Sequence, residues 1–591
     1  MKFKDSDIPH IPPQGYVARH NHSYKSIQWL ESVAASSGVF IQHARNVGEY
    51  KIGNYRVDGY DRENSVAYEF YGCRWHSCPK CFPDRSAKDP QTGQTMNEIY
   101  NETIKREKYL RNRVKDVKVI WECEFDLMVR TNNILAEFVS NIDVPERLKI
   151  RDAFFGGRVN AIKLHYEAKE GEKIYYYDFT SLYPYVNKYT DLPVGHPTII
   201  TKEFDYSMKS YFGIAKLKIL PPKSLYHPVL PYRSNGKLKF PLCRTCADLE
   251  SQNPCQCSDD ERSILGTFCT PEIQKAIQKD YVIKNIYEVY HWEGKSSKLF
   301  SEYVNTFLRI KQESSNYPEW VKTEEDKDEY IRSYQHAEGI ELIKENIRHN
   351  PGLRAVAKLA LNSFWGKFGE RSNRTKSIYV TDANKFRRLV NDSTKEICLV
   401  HRINETCLSV EYKSQSTFEP DNMKTNEVIA CFTTCWARLK LYDLVDFLGE
   451  RVLYMDTDSV IFRAKEGDPI PPLGDYLGEL TDELPPGHYI KEFISSGPKS
   501  YAYRQDDDKE ITKFKGVTIN KKNSKFVNFN SIKEIIFEGR EIKLPPYELF
   551  VRDKVKGAVY NRPMRKKIKL VYTKRILLDS FDTLPYGYTD V

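Results

Sequence analysis

The chain has 591 residues, 40% of them hydrophobic and 13% aromatic, which is too long for one core and suits about three to five domains. Ninety Lys and Arg against 81 Asp and Glu leave a formal charge of +9, compatible with a polyanionic partner but too small an excess to require one. A mean hydropathy of −0.60, no apolar run near the roughly 18 residues of a membrane span, and an opening "MKFKDSDIPHIPP" without the apolar stretch of a secretory signal predict an intracellular protein with no membrane partner.

Residues 1–45 read as an N-terminal segment. From 46 to 130, the short apolar stretches "YKIGNYRVDGYD", "NSVAYEFYG" and "VKVIWECEF" surround the charged helical pattern "MNEIYNETIKREKYLRNRV", the order of a small mixed α/β unit. It holds Cys73, Cys78 and Cys81 in "EFYGCRWHSCPKC", with Cys123 beyond. Grouped cysteines in a long chain without an export signal favour thiolate metal sites over disulfides. The stretch 131–200 is helical at first, and then "FFGGRVNAIKLHY" opens a strand-rich region whose Gly156–Gly157 pair permits a tight turn or close approach to a ligand. In "KIYYYDFTSLYPYV", Asp178 directly follows an apolar β-rich run.

The proline-marked stretch 201–296 reads as an insertion lacking a dense core. Its "CRTCADLESQNPCQC" places Cys243, Cys246, Cys255 and Cys257 at C-x-x-C and C-x-C spacing, which reads as a second structural zinc site, with buried free thiols as the alternative. His227 nearby reads as a surface residue, and Cys269, Cys398, Cys407, Cys431 and Cys435 as buried small residues. A helical tract over 297–372, broken by "NYPEWVKTEEDKDEY", ends in "GLRAVAKLALNSFWGKFGER", helical to about Phe364. Arg354, Lys358 and Leu361 recur along one side of it, with Asn362 four residues after Lys358. Alone this is a solvated helix edge; opposite a metal site it is suited to hold a triphosphate.

Within 373–503, "EVIACFTTCWARLKLYDLVDFLG" has helical periodicity and ends on Gly449. After it, "VLYMDTDSVIF" reads as a hairpin with Asp456 and Asp458 at its tip. Carboxylates two apart on a strand share a face and repel unless a divalent cation lies between them; a structural Asx turn is the alternative. With Asp178 as a third carboxylate the pocket suits two metal ions, which about 3.5–4 Å apart clamp both oxygens of an in-line phosphoryl transfer. In 504–591, "RPMRKKIKLVYTKR" alternates cations with apolar residues as on a strand with one wet face, or forms a solvated surface.

"DFTSLYP", "KLALNSFWG" and "YMDTDS", in that order, resemble motifs A, B and C of family B DNA polymerases, and "GPKSYAY" resembles their later K-x-Y motif. "FFGGR" is similar to the Y-x-G-G element of the protein-primed branch, and the long interval between motifs A and B fits that branch, whose inserted regions embrace a terminal protein and the template. The layout over roughly 150–591 is most similar to polymerases of Polinton/Maverick-type transposons and related viruses or linear plasmids. The resemblance implies an α+β multidomain, right-hand fold: palm parts in 131–200 and 373–503, a terminal-protein region in 201–296, fingers in 297–372 and a thumb with a basic C-terminal region in 504–591. It implies that Asp178 and Asp458 bind two Mg²⁺, with Mn²⁺ able to substitute and Asp456 a necessary neighbour. Tyr183 would stack under the nucleotide sugar and exclude a 2′-hydroxyl, Arg354 and Lys358 hold the triphosphate, and Asn362 line the nascent base pair. Lys499 and Tyr501 would steady the primer terminus, with Gly156 and Gly157 at the DNA. The implied partners are primer–template DNA, deoxynucleoside triphosphates and a terminal protein acting as primer. Trp365 stands where the family usually has tyrosine, which puts sugar or template selectivity there in question. The D-x-E that opens the family's proofreading exonuclease has no match, since "WECEFD" offers Glu122, Glu124 and Asp126 in another pattern, so the expectation is no proofreading.

"RVDGYDRENSVAYEFYGCRWHSC" followed by "VIWECEF" is similar to the very-short-patch-repair endonucleases of the restriction-endonuclease fold, over about 51–126. That resemblance implies a closed structural zinc on Cys73, Cys78, Cys81 and Cys123. It makes Asp58 a metal-binding acid, Glu69 a second acid and His76 a catalytic histidine, while Tyr71 stands where such cores often have lysine. A DNA-binding or structural remnant is therefore favoured over a working nuclease. Two rivals to a polymerase are a zinc-stapled nicking endonuclease with a template-binding platform and a transposon-derived DNA-binding protein without catalysis.

Overall fold

The computed structural model describes residues 23–589 except 90–91, 143–146, 372, 416–417, 419–424, 518, 554–557 and 571, together with residues 8, 9, 11 and 16. The opening stretch weighed as a signal lies outside the described residues apart from three positions. No helix among them is long and apolar enough to cross a membrane.

In the N-terminal unit, "VAYEFY" makes the strand Val66–Tyr71, buried along nearly its whole length because both neighbours and both faces are covered. It lies in a four-stranded sheet ordered Gln42–His43, Gly59–Asp61, Val66–Tyr71, Asp116–Trp121. The last pairing is parallel, and a parallel pair needs a long crossover. The helix Met96–Arg111 supplies it, opened by a capping box between Thr95 and Glu98. Trp29, Leu30, Tyr68, Phe70 and Phe125 fill one side of this sheet.

The central element is a nine-stranded sheet. Its path runs Glu510–Phe514, Ser500–Gln505, Ile490–Gly497, Glu172–Phe179, Ser459–Lys465, Val452–Asp456, Val159–Ala161, with Leu480–Asp482 beside the Asp178 strand and His165–Glu167 beside Ile490–Gly497. The helix Glu427–Leu448 packs on one face, placing Leu441 and Val445 in the same core as Tyr177, Phe179, Met455 and Phe462. Gly449 closes it with φ 57°, as its C-terminal position predicts. On the other face Phe529, Ile532 and Ile536 of a short helix cover Phe493 and Ile494.

Several expectations need correction. The stretch 201–296 has a dense core: Thr198–Ile200, Val282–His291, Gly213–Leu220 and Ile264–Cys269 form an antiparallel sheet. Leu217, Ile219, Leu230, Ile264 and Phe268 join the core that holds Tyr177 and Phe179. His227 is 3% exposed, because the loop holding it folds inward to set Nε2 2.9 Å from the Gly449 carbonyl oxygen. Cys398 is exposed and Cys407 half-buried, since both lie in a small three-stranded sheet at the surface. The Lys358 helix runs Pro351–Phe368, one turn beyond Phe364, as Gly366 does not end it. Leu361 on it is buried while Arg354, Lys358 and Asn362 are exposed, so these four do not share one environment. The basic run is not one half-wet strand: Ala558–Met564 pairs in a hairpin with Tyr547–Asp553, Val571 lies outside the described residues, and Tyr572 and Arg575 are buried.

From the end of that run onward the chain forms a strap, 572–589, along the outer edge of the Val159–Ala161 strand. The Leu164 N–H donates to the Phe581 carbonyl at 2.8 Å and the Thr583 N–H to the Ile162 carbonyl at 3.0 Å. The Tyr572 hydroxyl bonds Asn160 Oδ1 at 3.0 Å and also the Ala161 carbonyl. Further on, the Tyr586 carbonyl accepts from the N–H groups of Leu242 and Cys243 at 2.7 and 3.1 Å.

Candidate active site

Antiparallel register brings the three predicted carboxylates together. Ser459 is the partner of Asp178 and also of Asp456, so the strand end at Asp178 lies beside the hairpin tip. The Phe179 N–H donates to the Asp458 carbonyl at 2.7 Å, tying the two segments. At the tip, Thr457 has φ 62°, an uncommon left-handed conformation for a β-branched residue. Its N–H donates to the Arg158 carbonyl at 2.8 Å, and its hydroxyl to Asp456 Oδ1 at 3.1 Å. A Cβ on Gly157 would lie 2.8 Å from Thr457 Cγ2, so the missing side chain at this glycine lets the turn abut the hairpin tip. Gly156 has open space beside it.

Burial, then the nearby charges of Asp458 and Glu483, push the Asp178 carboxyl up to about 7, against the pull of Lys358 and Lys513. Burial and Asp456 likewise raise Asp458. Among the described residues neither Asp178 nor Asp458 has an ion-pair partner, whereas Asp456 carries Lys499, whose Nζ lies 2.8 Å from Oδ1. Two crowded carboxylates presenting free oxygens are a donor set that fits hard divalent cations.

The cations opposite come from two packed helices, Ser301–Glu313 and Pro351–Phe368, joined where the Tyr303 hydroxyl donates to the Ala360 carbonyl at 3.1 Å. Beside Arg354 and Lys358 stands Lys311, which the sequence reading missed. It is 9% exposed with Nζ 3.4 Å from Ser181 Oγ. Burial, then Arg354 and Lys358, push it down to about 8. Its only sequence signal is a lysine on the inner side of an amphipathic helix. Tyr183 stacks on Trp365, ring centroids 4.6 Å apart and 23° between planes. Burial, then Asp458, raise its phenol to about 12. Tyr501 is only 4% exposed and its hydroxyl bonds that of Tyr176 at 3.0 Å, so of the K-x-Y pair only Lys499 reaches the carboxylates.

Arg438 was also missed. Its Nε and Nη2 bond Glu272 at 2.7 and 2.8 Å, and its Nη1 donates to the carbonyls of Phe155 and Gly156 at 2.7 and 3.2 Å. It therefore anchors the glycine turn that abuts Thr457.

Both cysteine groups gather as expected: the thiols of Cys73, Cys78, Cys81 and Cys123, and those of Cys243, Cys246, Cys255 and Cys257, each lie within 4.8 Å of one another. The Cys78–Cys123 and Cys246–Cys257 sulfurs are 3.9 Å apart. Four thiolates at the usual Zn–S distance sit about 3.8 Å apart, so both sets could hold zinc in a closed shell.

In the N-terminal unit Asp58 accepts from the Phe70 N–H at 2.8 Å, and burial pushes it up to about 6. Burial, then Asp58, push Glu69 up to about 8, although Arg106 donates to both its oxygens at 3.0 Å. Arg106, from the crossover helix, brings a cation to this pair that the sequence reading did not find. His76 contacts Thr103 Oγ1 at 3.1 Å, and burial, then Arg106, push it down to about 4.

A family model described as DNA polymerase type B, organellar and viral, matches residues 137–446, over half of the chain. A probable DNA polymerase of Agaricus bitorquis is 24% identical over 399 residues, covering 62% of this chain and 42% of that protein. One of Neurospora intermedia is 22% identical over 431 residues, covering 70% of this chain and 37% of that protein. The match thus spans about two-fifths of the length of these curated relatives. Among solved structures, Phi29 DNA polymerase complexed with primer–template DNA and incoming nucleotide substrates is similar at 16% identity and a TM-score of 0.43, over 71% of this chain and 62% of that one.

Proposed function

Because the chain belongs to the organellar and viral type B DNA polymerases, we propose that it is a DNA-directed DNA polymerase extending a primer 3′-hydroxyl by two-metal nucleotidyl transfer. The observation that carries this reading is the crowding of Asp178 and Asp458, which raises both carboxyls, while among the described residues neither has an ion-pair partner. Asp178 and Asp458 would hold a divalent pair, Mg²⁺ with Mn²⁺ able to substitute, which would supply activation of the hydroxyl and neutralisation of the leaving pyrophosphate. Lys311, Arg354 and Lys358 bind the triphosphate, and their charge favours its polyanionic form at this end of the pocket. The Tyr183–Trp365 stack supports the sugar, Asn362 faces the nascent base pair, and Lys499 steadies the primer end beside Asp456. Primer extension with Mg²⁺ and deoxynucleotides tests the assignment: wild type incorporates, Asp458→Ala does not, and equal incorporation by the two would sink it.

The finer reading is a protein-primed enzyme, supported by the Phe154–Gly157 turn packed on the hairpin tip. Its mark would be transfer of the first nucleotide to a hydroxyl of a terminal protein. Misincorporated ends should be extended or abandoned rather than excised, which a 3′-mismatched primer checks. For the N-terminal unit we propose a zinc-stapled structural or DNA-binding role. Arg106 already takes both Glu69 oxygens, so supercoiled plasmid should persist when deoxynucleotides are withheld; nicking abolished by Asp58→Ala would reverse this.

A further inference from the structure

The strap along the sheet edge ends in no catalytic motif, yet it brings a cation to the hairpin tip. Lys574 Nζ donates to the Val159 carbonyl at 3.1 Å, and Val159 is the register partner of Asp456. Three more lysines converge there from other segments. Lys499 sits on Asp456. Lys515 is exposed, with its N–H on Ser500 Oγ at 3.2 Å. Lys237 Nζ bonds the hydroxyl of Thr573, next to Lys574, and lies 3.4 Å from Glu250. Among the described residues Lys574 and Lys515 have no ion-pair partner.

Four ammonium groups around one or two carboxylates repel one another. Burial, then Lys515, push Lys574 down to about 8; Asp456 opposes this, while Lys499 and Lys237 add to it. A carbonyl needs no ammonium to satisfy it, so a half-buried lysine held against three others calls for an anion that relieves the repulsion. Position says which anion. In sheet order the Asp178 strand, with Lys311, Arg354 and Lys358 nearby, lies on one side of the hairpin, and the Val159 strand with the strap on the other. In-line transfer sets the attacking and leaving groups on opposite sides of phosphorus. The triphosphate takes the first side, which leaves the primer backbone for the second.

We propose that Lys574, with Lys499, Lys515 and Lys237, forms a phosphodiester cradle for the primer strand, completed only by the C-terminal strap. This rests on the polymerase reading above. The test uses the full chain and a fluorescent primer–template, with affinity measured over a series of KCl concentrations. Lys574→Met should weaken binding equally for unrelated sequences and reduce the salt slope by about one. KM for the deoxynucleotide should be unchanged, and Lys574→Arg should restore the slope. An unchanged slope overturns the proposal: together with a raised nucleotide KM it assigns Lys574 to the triphosphate, and together with a lowered Tm alone it reduces Lys574 to a prop for Val159. Failure of the wild type to bind primer–template at all would instead strike the polymerase reading.

Discussion

Replacing Arg438 by methionine separates two roles that its guanidinium combines. Arg438 and Glu272 are each 2% exposed in their side chains and joined by two bonds. Removing only the cation leaves a buried carboxylate, at a cost of about 3–5 kcal/mol. The Phe155 carbonyl also loses its 2.7 Å donor, and an unsatisfied buried carbonyl adds about 1–3 kcal/mol. The double variant Arg438→Met/Glu272→Met removes the stranded charge and restores apolar packing, so only the carbonyl penalty of about 1–3 kcal/mol should remain. Urea denaturation followed by tryptophan fluorescence measures both. Extension by the double variant should stay impaired despite its recovered stability, because the glycine turn has lost its anchor behind Thr457. A double variant as unstable as the single one would refute the stranded-charge account, and full extension activity in it would refute the anchoring role.

Further outcomes follow from the same geometry. Metal-replete protein should carry one zinc for each of the two thiolate groups, and Cys246→Ser should lose one of them by elemental analysis; protein free of zinc would contradict both sites. Gly157→Ala puts a Cβ 2.8 Å from Thr457 Cγ2, so extension should fall at a stability cost of about 1–3 kcal/mol, with partial recovery on adding Thr457→Ser. Lys311→Met should raise the nucleotide KM roughly tenfold or more, as loss of a charge-assisted contact of about 1.5–3 kcal/mol requires, while primer–template affinity holds. His227 is kept neutral, its value pushed from 6.5 down to about 3 by burial. The unfolded chain then binds the extra proton between those values, so stability present above pH 6.5 is lost as pH falls toward 3, at up to about 1.4 kcal/mol per unit. A His227→Asn chain should show a shallower acid limb in pH-dependent denaturation.

What the sequence made readable was local. The apolar β-rich run into Asp178, the hairpin around Asp456 and Asp458, and the helix closing on Gly449 each carry their signal within one contiguous stretch of chain, and the structure has all three. The thiolate groups were readable because cysteine spacing states its own chemistry. Partners brought by the fold from far along the chain were not: Glu272 lies 166 residues from Arg438 and Glu69 lies 37 from Arg106. The core of 201–296 was hidden for another reason. Prolines and cysteines punctuate that stretch, and they masked strands such as Gly213–Leu220, where nearly every residue is buried, Lys216 included.

The strap also sets a schedule for synthesis. An exposed strand edge is a template for unwanted pairing, and among the described residues the strap caps the carbonyls of Val159, Ala161 and Ile162 through Lys574, Tyr572 and Thr583. Lys163 and its partner Asp582 are separated by 419 positions, which at a ribosome's 5–20 residues per second means about 20–80 s. For that interval the strand beside the Asp456–Asp458 hairpin leaves the ribosome with its flank open, and a nascent chain halted before the strap would carry all three aspartates on a sheet still able to recruit a stranger.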